Sequence, residues 1–162
     1  MFEGAELGRK VSKDDFKAEI PELRTRLLAA QRRARQAGLP VIVLVAGVDG
    51  AGKGEVVNRL NAWLDTRGVQ VHAFWDATDE ECQHPRWWRY WRRLPGRGGI
   101  AVLFGAWYGD AIRERMEGRT DDAALDAELA RIGNFERMLT EDDALFIKFW
   151  FHLPANEQAR RL

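Results

Sequence analysis

Val41-Ile42-Val43-Leu44-Val45-Ala46 runs directly into Gly47-Val48-Asp49-Gly50-Ala51-Gly52-Lys53-Gly54. The first six residues are apolar and mostly β-branched, with no polar alternation. That is the pattern of a strand buried on both faces of a parallel sheet. The next eight carry the GxxxxGK spacing of a phosphate-binding loop. Glycines let the backbone curl so that several N–H groups point at one anion, and the helix that follows adds the positive end of its dipole. Gly47, Gly50, Ala51, Gly52, Lys53 and Gly54 are therefore the predicted phosphate-binding residues, and Lys53 and Asp49 the predicted catalytic pair. Gly54 stands where most such loops carry a Ser or Thr that holds Mg²⁺. Asp49 is the substitute oxygen ligand for that metal; its other reading is a turn residue bonding its own backbone.

Working outward, residues 69–75, 99–104 and 144–151 read as three further strands, and each is separated from the last by segments with helical spacing. Upstream, Ser12 is a helix cap, with Asp14 and Asp15 in the first turn, where negative charge suits the dipole. Pro21 fits the first turn of a new or continuing helix. Leu23, Leu27, Ala30 and Ala34 follow at helical spacing until Gly38 and Pro40 stop it. Downstream, residues 85–95 form a short helix between prolines, and residues 121–139 a longer one through Leu125, Leu129 and Ile132. Strands alternating with helices predict a three-layer α/β domain, a parallel sheet with helices on both faces. Residues 1–11 read as a flexible tail.

With 162 residues, the chain is one domain. Its 25 basic and 25 acidic residues cancel, which argues against a nucleic-acid partner. No apolar run approaches the roughly 20 residues of a membrane helix, and the N-terminus lacks a signal-peptide stretch. A single cysteine, Cys82, excludes an internal disulfide framework and a multi-cysteine zinc site. A cytoplasmic location is the expectation.

Other candidates carry two readings each. Residues 85–95 interleave Arg86, Arg89, Arg92 and Arg93 with Trp87, Trp88, Tyr90 and Trp91. Arg89, Arg92 and Arg93 are either an anion-binding face or a solvated one, while Trp87 and Trp91, four apart, are expected in the core. Asp76 ends the second strand and either faces the phosphate site or caps the next segment. His72, His84 and His152 lack metal-ligand spacing and read as structural. Cys82 reads as an incidental thiol in a polar loop.

GVDGAGKG resembles the GxDxxGKG loop of the family-2 polyphosphate kinases. Two more blocks resemble that family in order: WWRYWRRLPGRGGIAVLFGAWYGD (87–110), like its aromatic helix, LP, strand and DRSWY-type segment, and NFERMLTEDDALFIKFWFHLPANEQARRL (134–162), like its FE…KFWLHIS…EQ…R run. The resemblance implies a thymidylate-kinase-like fold of the P-loop NTPase type and a Mg²⁺-dependent transfer of phosphate between inorganic polyphosphate and AMP or ADP. It also implies departures. Phe104, Gly105 and Ala106 stand where the family pattern has a metal-binding Asp, an Arg and a Ser. The family's lid helix and further strand have no counterpart, so the fold is expected to be C-terminally incomplete. The whole resembles the first half of fused two-domain polyphosphate:AMP phosphotransferases, with a weakened site. A second domain or a second copy is the expected partner, docking near residues 144–162. A non-catalytic interaction domain and an ATP-dependent nucleoside monophosphate kinase are the alternatives.

Overall fold

The computed structural model describes residues 10–161; residues 1–9 of the expected flexible tail lie outside the described residues. Strand β1 (Val41–Gly47) is flanked by β3 (Ile100–Phe104) and β4 (Leu145–Phe151), and β2 (Val69–Ala73) adds outside β3. All pairings are parallel, with Val41 opposite both Ile100 and Leu145. The order β2-β3-β1-β4 makes β1 the strand from which the chain first crosses to one side and later returns to the other. In open parallel sheets, that switch point, at the carboxyl ends of the strands, is where ligands gather.

The β1 side chains divide between two cores, as a strand buried on both faces requires. Val41, Val43 and Val45 pack with Ile100, Val102 and Val57, and with Ala34 and Leu60 from helices α1 (Lys13–Gln36) and α2 (Lys53–Trp63). Ile42 and Leu44 pack on the other face with Ala101, Leu103, Tyr90, Trp107, Ile132 and Phe135. The last four come from α4 (Trp88–Trp91), α5 (Trp107–Met116) and α6 (Asp122–Glu141). Three layers with helices on both faces are thus present. The short α3 (Asp79–Cys82) and α7 (Ala155–Arg161) complete the described elements.

Several local expectations need correction. Ser12 caps α1 as expected, its hydroxyl accepting from the Asp15 N–H, and the helix continues through Pro21, which lies in its interior rather than in a first turn. No residue of α1 is buried. Half-buried Ala34 packs it on the core, and Gln31 adds two 2.8 Å hydrogen bonds with the backbone of Asp65. The tryptophan helix is a single turn. Trp87 stacks on Phe135 at 4.6 Å, but Trp91 is 53% exposed and Tyr90 is the fully buried ring. Both tryptophans reach Phe135, Trp91 at 6.1 Å from the outer side, while Tyr90 takes the inner place. Cys82 lies at the end of α3 rather than in a loop, and is exposed.

Candidate phosphate-binding site

The loop is shaped by close approach. Gly47 has φ +132°, and a Cβ there would lie 2.0 Å from the Phe151 carbonyl oxygen. The Val48 N–H donates to that same oxygen at 3.0 Å, so the end of β4 fixes where the loop begins. Gly52, at φ +90°, caps α2 without a side-chain hydrogen bond. The first-turn N–H groups of α2 have no partner within their own helix, which is what an anion requires of them. Lys53 is the first residue of α2, and its side chain is only 12% exposed. Its ammonium donates to Gly47 O (2.7 Å), Val48 O (2.9 Å) and Asp49 Oδ1 (2.9 Å). Asp49 itself is exposed. Arg161, from α7, donates to the Gly50 carbonyl at 3.2 Å.

Beside the loop the strand ends are aromatic. The Lys53 ammonium lies 5.9 Å from the Phe104 ring centroid, and the Trp75 and Phe104 ring centroids are 6.1 Å apart. Gly105 has φ +64°, and a Cβ there would meet the Phe74 carbonyl oxygen at 2.9 Å. Ala106 caps α5 without a side-chain hydrogen bond. No carboxylate therefore extends from the end of β3, where the resemblance leads one to look for it. Among the described residues no group of three or more His, Cys, Asp or Glu is placed to hold a metal. Mg²⁺ commonly binds through one or two carboxylates with the remainder from substrate phosphates. The exposed Asp49 meets that minimum alone.

A second charged cluster flanks β2. Arg89, with its side chain 9% exposed, donates to the Trp75 carbonyl at 2.7 Å and pairs with Glu81 at 3.4 Å. The Tyr90 hydroxyl donates to Asp110 at 2.7 Å. Burial first, then Asp110, pushes the Tyr90 phenol well above its ordinary value. Asp76 pairs with Arg113 at 2.7 Å, and Arg113 with Asp110 at 2.6 Å, so Asp76 joins this cluster rather than the loop.

The chain and its fold match known proteins. The polyphosphate kinase 2 (PPK2) family model matches residues 10–162. This chain belongs to the polyphosphate kinase 2 family. A polyphosphate:AMP phosphotransferase of Pseudomonas aeruginosa is 45% identical over 163 residues, covering 100% of this chain and 33% of that protein. A GDP-polyphosphate phosphotransferase of Mycobacterium tuberculosis is 33% identical, covering 94% and 52%. The crystal structure of polyphosphate kinase 2 from Arthrobacter aurescens TC1 matches with a TM-score of 0.86 at 31% identity, over 96% of this chain and 56% of that one. A Pseudomonas aeruginosa crystal structure matches with a TM-score of 0.93 at 44% identity, over 99% and 35%. The chain thus spans about a third to a half of the length of these relatives.

Within this polyphosphate kinase 2 fold, the three candidate arginines separate. Arg89 is committed to Trp75, Glu81 and Asp110. Arg92 stacks on Trp88 and pairs with Glu80 at 3.6 Å. Arg93 is exposed, and after burial its charge is the second cause that lowers the His72 pKa. His84 stacks on Trp88 at 3.8 Å. Sequence reasoning missed Arg161 beside the loop and Trp75 beside Phe104. It also missed buried Glu136, which accepts from Trp107 Nε1 and Tyr108 Oη at 3.1 Å each and pairs with Lys148. The only sequence signal for that group is the WY, FE and KFW of the family-like blocks. Among the described residues no helix is long and apolar enough to cross a membrane.

Proposed function

We propose that this chain is a polyphosphate kinase 2-type phosphotransferase domain that acts on inorganic polyphosphate and a nucleotide, with AMP converted to ADP. The observation that carries the reading is Lys53, held at the start of α2 behind a glycine loop at the switch point of a parallel sheet. Phosphoryl transfer asks for positioning and charge neutralisation more than covalent chemistry. In this reading the loop amides and Lys53 hold the phosphates. Asp49, the exposed one of the three Lys53 partners, swings away as a phosphate oxygen takes its place on the ammonium. An AMP phosphate oxygen then attacks the terminal phosphorus, and the shortened polyphosphate leaves with the electrons of the broken P–O bond. Mg²⁺, where bound through Asp49 and the phosphates, supplies further charge neutralisation.

The second reading is a non-catalytic partner domain within a larger phosphotransferase, and Phe104 with Gly105 favours it. A phenyl ring supplies no metal ligand, and a glycine no cation for the transferring group. Two experiments test the readings. Calorimetry with pyrophosphate on the wild-type chain and Lys53→Ala is expected to show a loss of about 1–3 kcal/mol, the scale of charged hydrogen bonds. Equal affinity in the two proteins sinks the phosphate-loop assignment. Transfer from polyphosphate to AMP by the 162-residue chain is expected to be slight; robust turnover abolished by Lys53→Ala removes the non-catalytic reading.

A further inference from the structure

We infer that Trp75, backed by Phe104, is a stacking platform for the nucleobase of a nucleoside di- or monophosphate whose phosphates lie at Lys53. The inference rests on the phosphate-loop reading above and adds where the base is held.

Four observations carry it. Trp75 is 71% exposed, so its ring takes little part in either core. Its backbone is nonetheless anchored. The Trp75 carbonyl accepts from the buried Arg89, and the adjacent Phe74 N–H donates to the Phe104 carbonyl at 2.9 Å. A large ring on a fixed backbone loses little freedom when a ligand stacks on it. Its place is just past the carboxyl end of β2, on the edge of the sheet where the loop also lies. Finally, the Phe104 ring neighbours both, 5.9 Å from the Lys53 ammonium and 6.1 Å from the Trp75 ring.

An apolar, π-rich surface next to a cation recognises a ligand with a flat aromatic head and an anionic tail. Polyphosphate has no such head; a nucleotide has both. Base–aromatic stacking is tolerant of base identity, since every base has a π-face, so the platform is expected to select for the presence of a base rather than for one base. Phe104 extends the aromatic surface toward the lysine.

The test compares ADP with pyrophosphate, which keeps the diphosphate and lacks the adenosine. Each is titrated calorimetrically into the wild-type 162-residue chain, Trp75→Ala, Trp75→Phe and Lys53→Ala. Trp75→Ala is expected to weaken ADP about tenfold, the scale of a lost stacking contact, and to leave pyrophosphate unchanged. Trp75→Phe retains most of the ADP affinity, and Lys53→Ala weakens both ligands. Equal ADP affinity in wild type and Trp75→Ala overturns the platform, as does the absence of ADP binding to wild type. A Trp75→Ala loss that is the same for pyrophosphate also overturns it, because the residue is then structural. Pyrophosphate binding indifferent to Lys53, with ADP still dependent on Trp75, overturns the loop reading and keeps the platform.

Discussion

Lys53 has three ammonium protons and three oxygen partners, and only one of those partners is ionised. Asp49 therefore competes with any phosphate that approaches Lys53, at a cost of about 0.5–1 kcal/mol for a pair with one exposed member. Asp49→Asn is expected to bind pyrophosphate severalfold more tightly in EDTA, and to lose the gain in affinity that Mg²⁺ brings to wild type. Calorimetry with and without Mg²⁺ decides it; a uniformly weaker Asp49→Asn rejects both parts. Just after β3, the backbone at Gly105 is closed to a side chain. At φ +64°, with the Phe74 carbonyl oxygen 2.9 Å from a built Cβ, any side chain there is strained. Gly105→Arg is expected to cost about 1–2 kcal/mol, the penalty of a left-handed L-residue. A urea midpoint unmoved by that substitution shows that the turn relaxes freely.

Among the elements, β4 is attached to the helical layer by charge as well as by apolar packing. Glu136 on α6 accepts from Trp107 and Tyr108 on α5 and pairs with Lys148 on β4. Burial pulls the Lys148 ammonium down, but hydrogen bonds with Glu136 and Tyr108 outweigh it, and its pKa lies above the ordinary 10.5. Glu136→Leu leaves the buried Trp107 N–H and Lys148 without that acceptor. The expected loss is about 3 kcal/mol, at the low end for a broken buried pair because Lys148 is half exposed. The pH dependence has a definite sign. A raised folded pKa means that Lys148 contributes fully below pH 10.5 and loses that contribution as the pH climbs through the higher folded value. Denaturant melts between about pH 10 and 12 should therefore fall more steeply for wild type than for Lys148→Met. Parallel curves contradict the assignment.

At the scale of the molecule, β4 is an edge strand with an apolar face to solvent. Leu145, Ile147 and Phe149 point to the side on which Val41, Val43 and Val45 are covered, yet all three are exposed. Trp150 is exposed on the other side. An exposed apolar edge pairs readily with another chain. Concentration-dependent association of the 162-residue chain is expected in light scattering, and Phe149→Asp should suppress it. A wild-type monomer at high concentration refutes this.

The sequence by itself determined the four parallel strands, the loop and the helix behind it. Each rests on a local pattern: an unbroken β-branched run, glycines at fixed spacing, a lysine at the helix start. Alternation in ALFIKFWF likewise placed Phe146 and Phe151 on opposite faces, and they pack into opposite cores. Tertiary structure alone decided what such patterns do not encode. Tyr90 rather than Trp91 is fully buried because Phe74 and Trp107, from other elements, close around it. Whether Arg89 meets an anion depended on Glu81 and Asp110, which are distant in sequence and reach it first. Helix α5 begins at an alanine without a side-chain cap, so its start carries no local signal and comes from Trp107 seating between Tyr90 and Phe135. Trp75 reads as one more strand residue until the sheet order brings β2 and β3 together and leaves its ring facing solvent beside Phe104. Partners far apart along the chain meet only when the sheet closes, and the chemistry of a site belongs to those meetings.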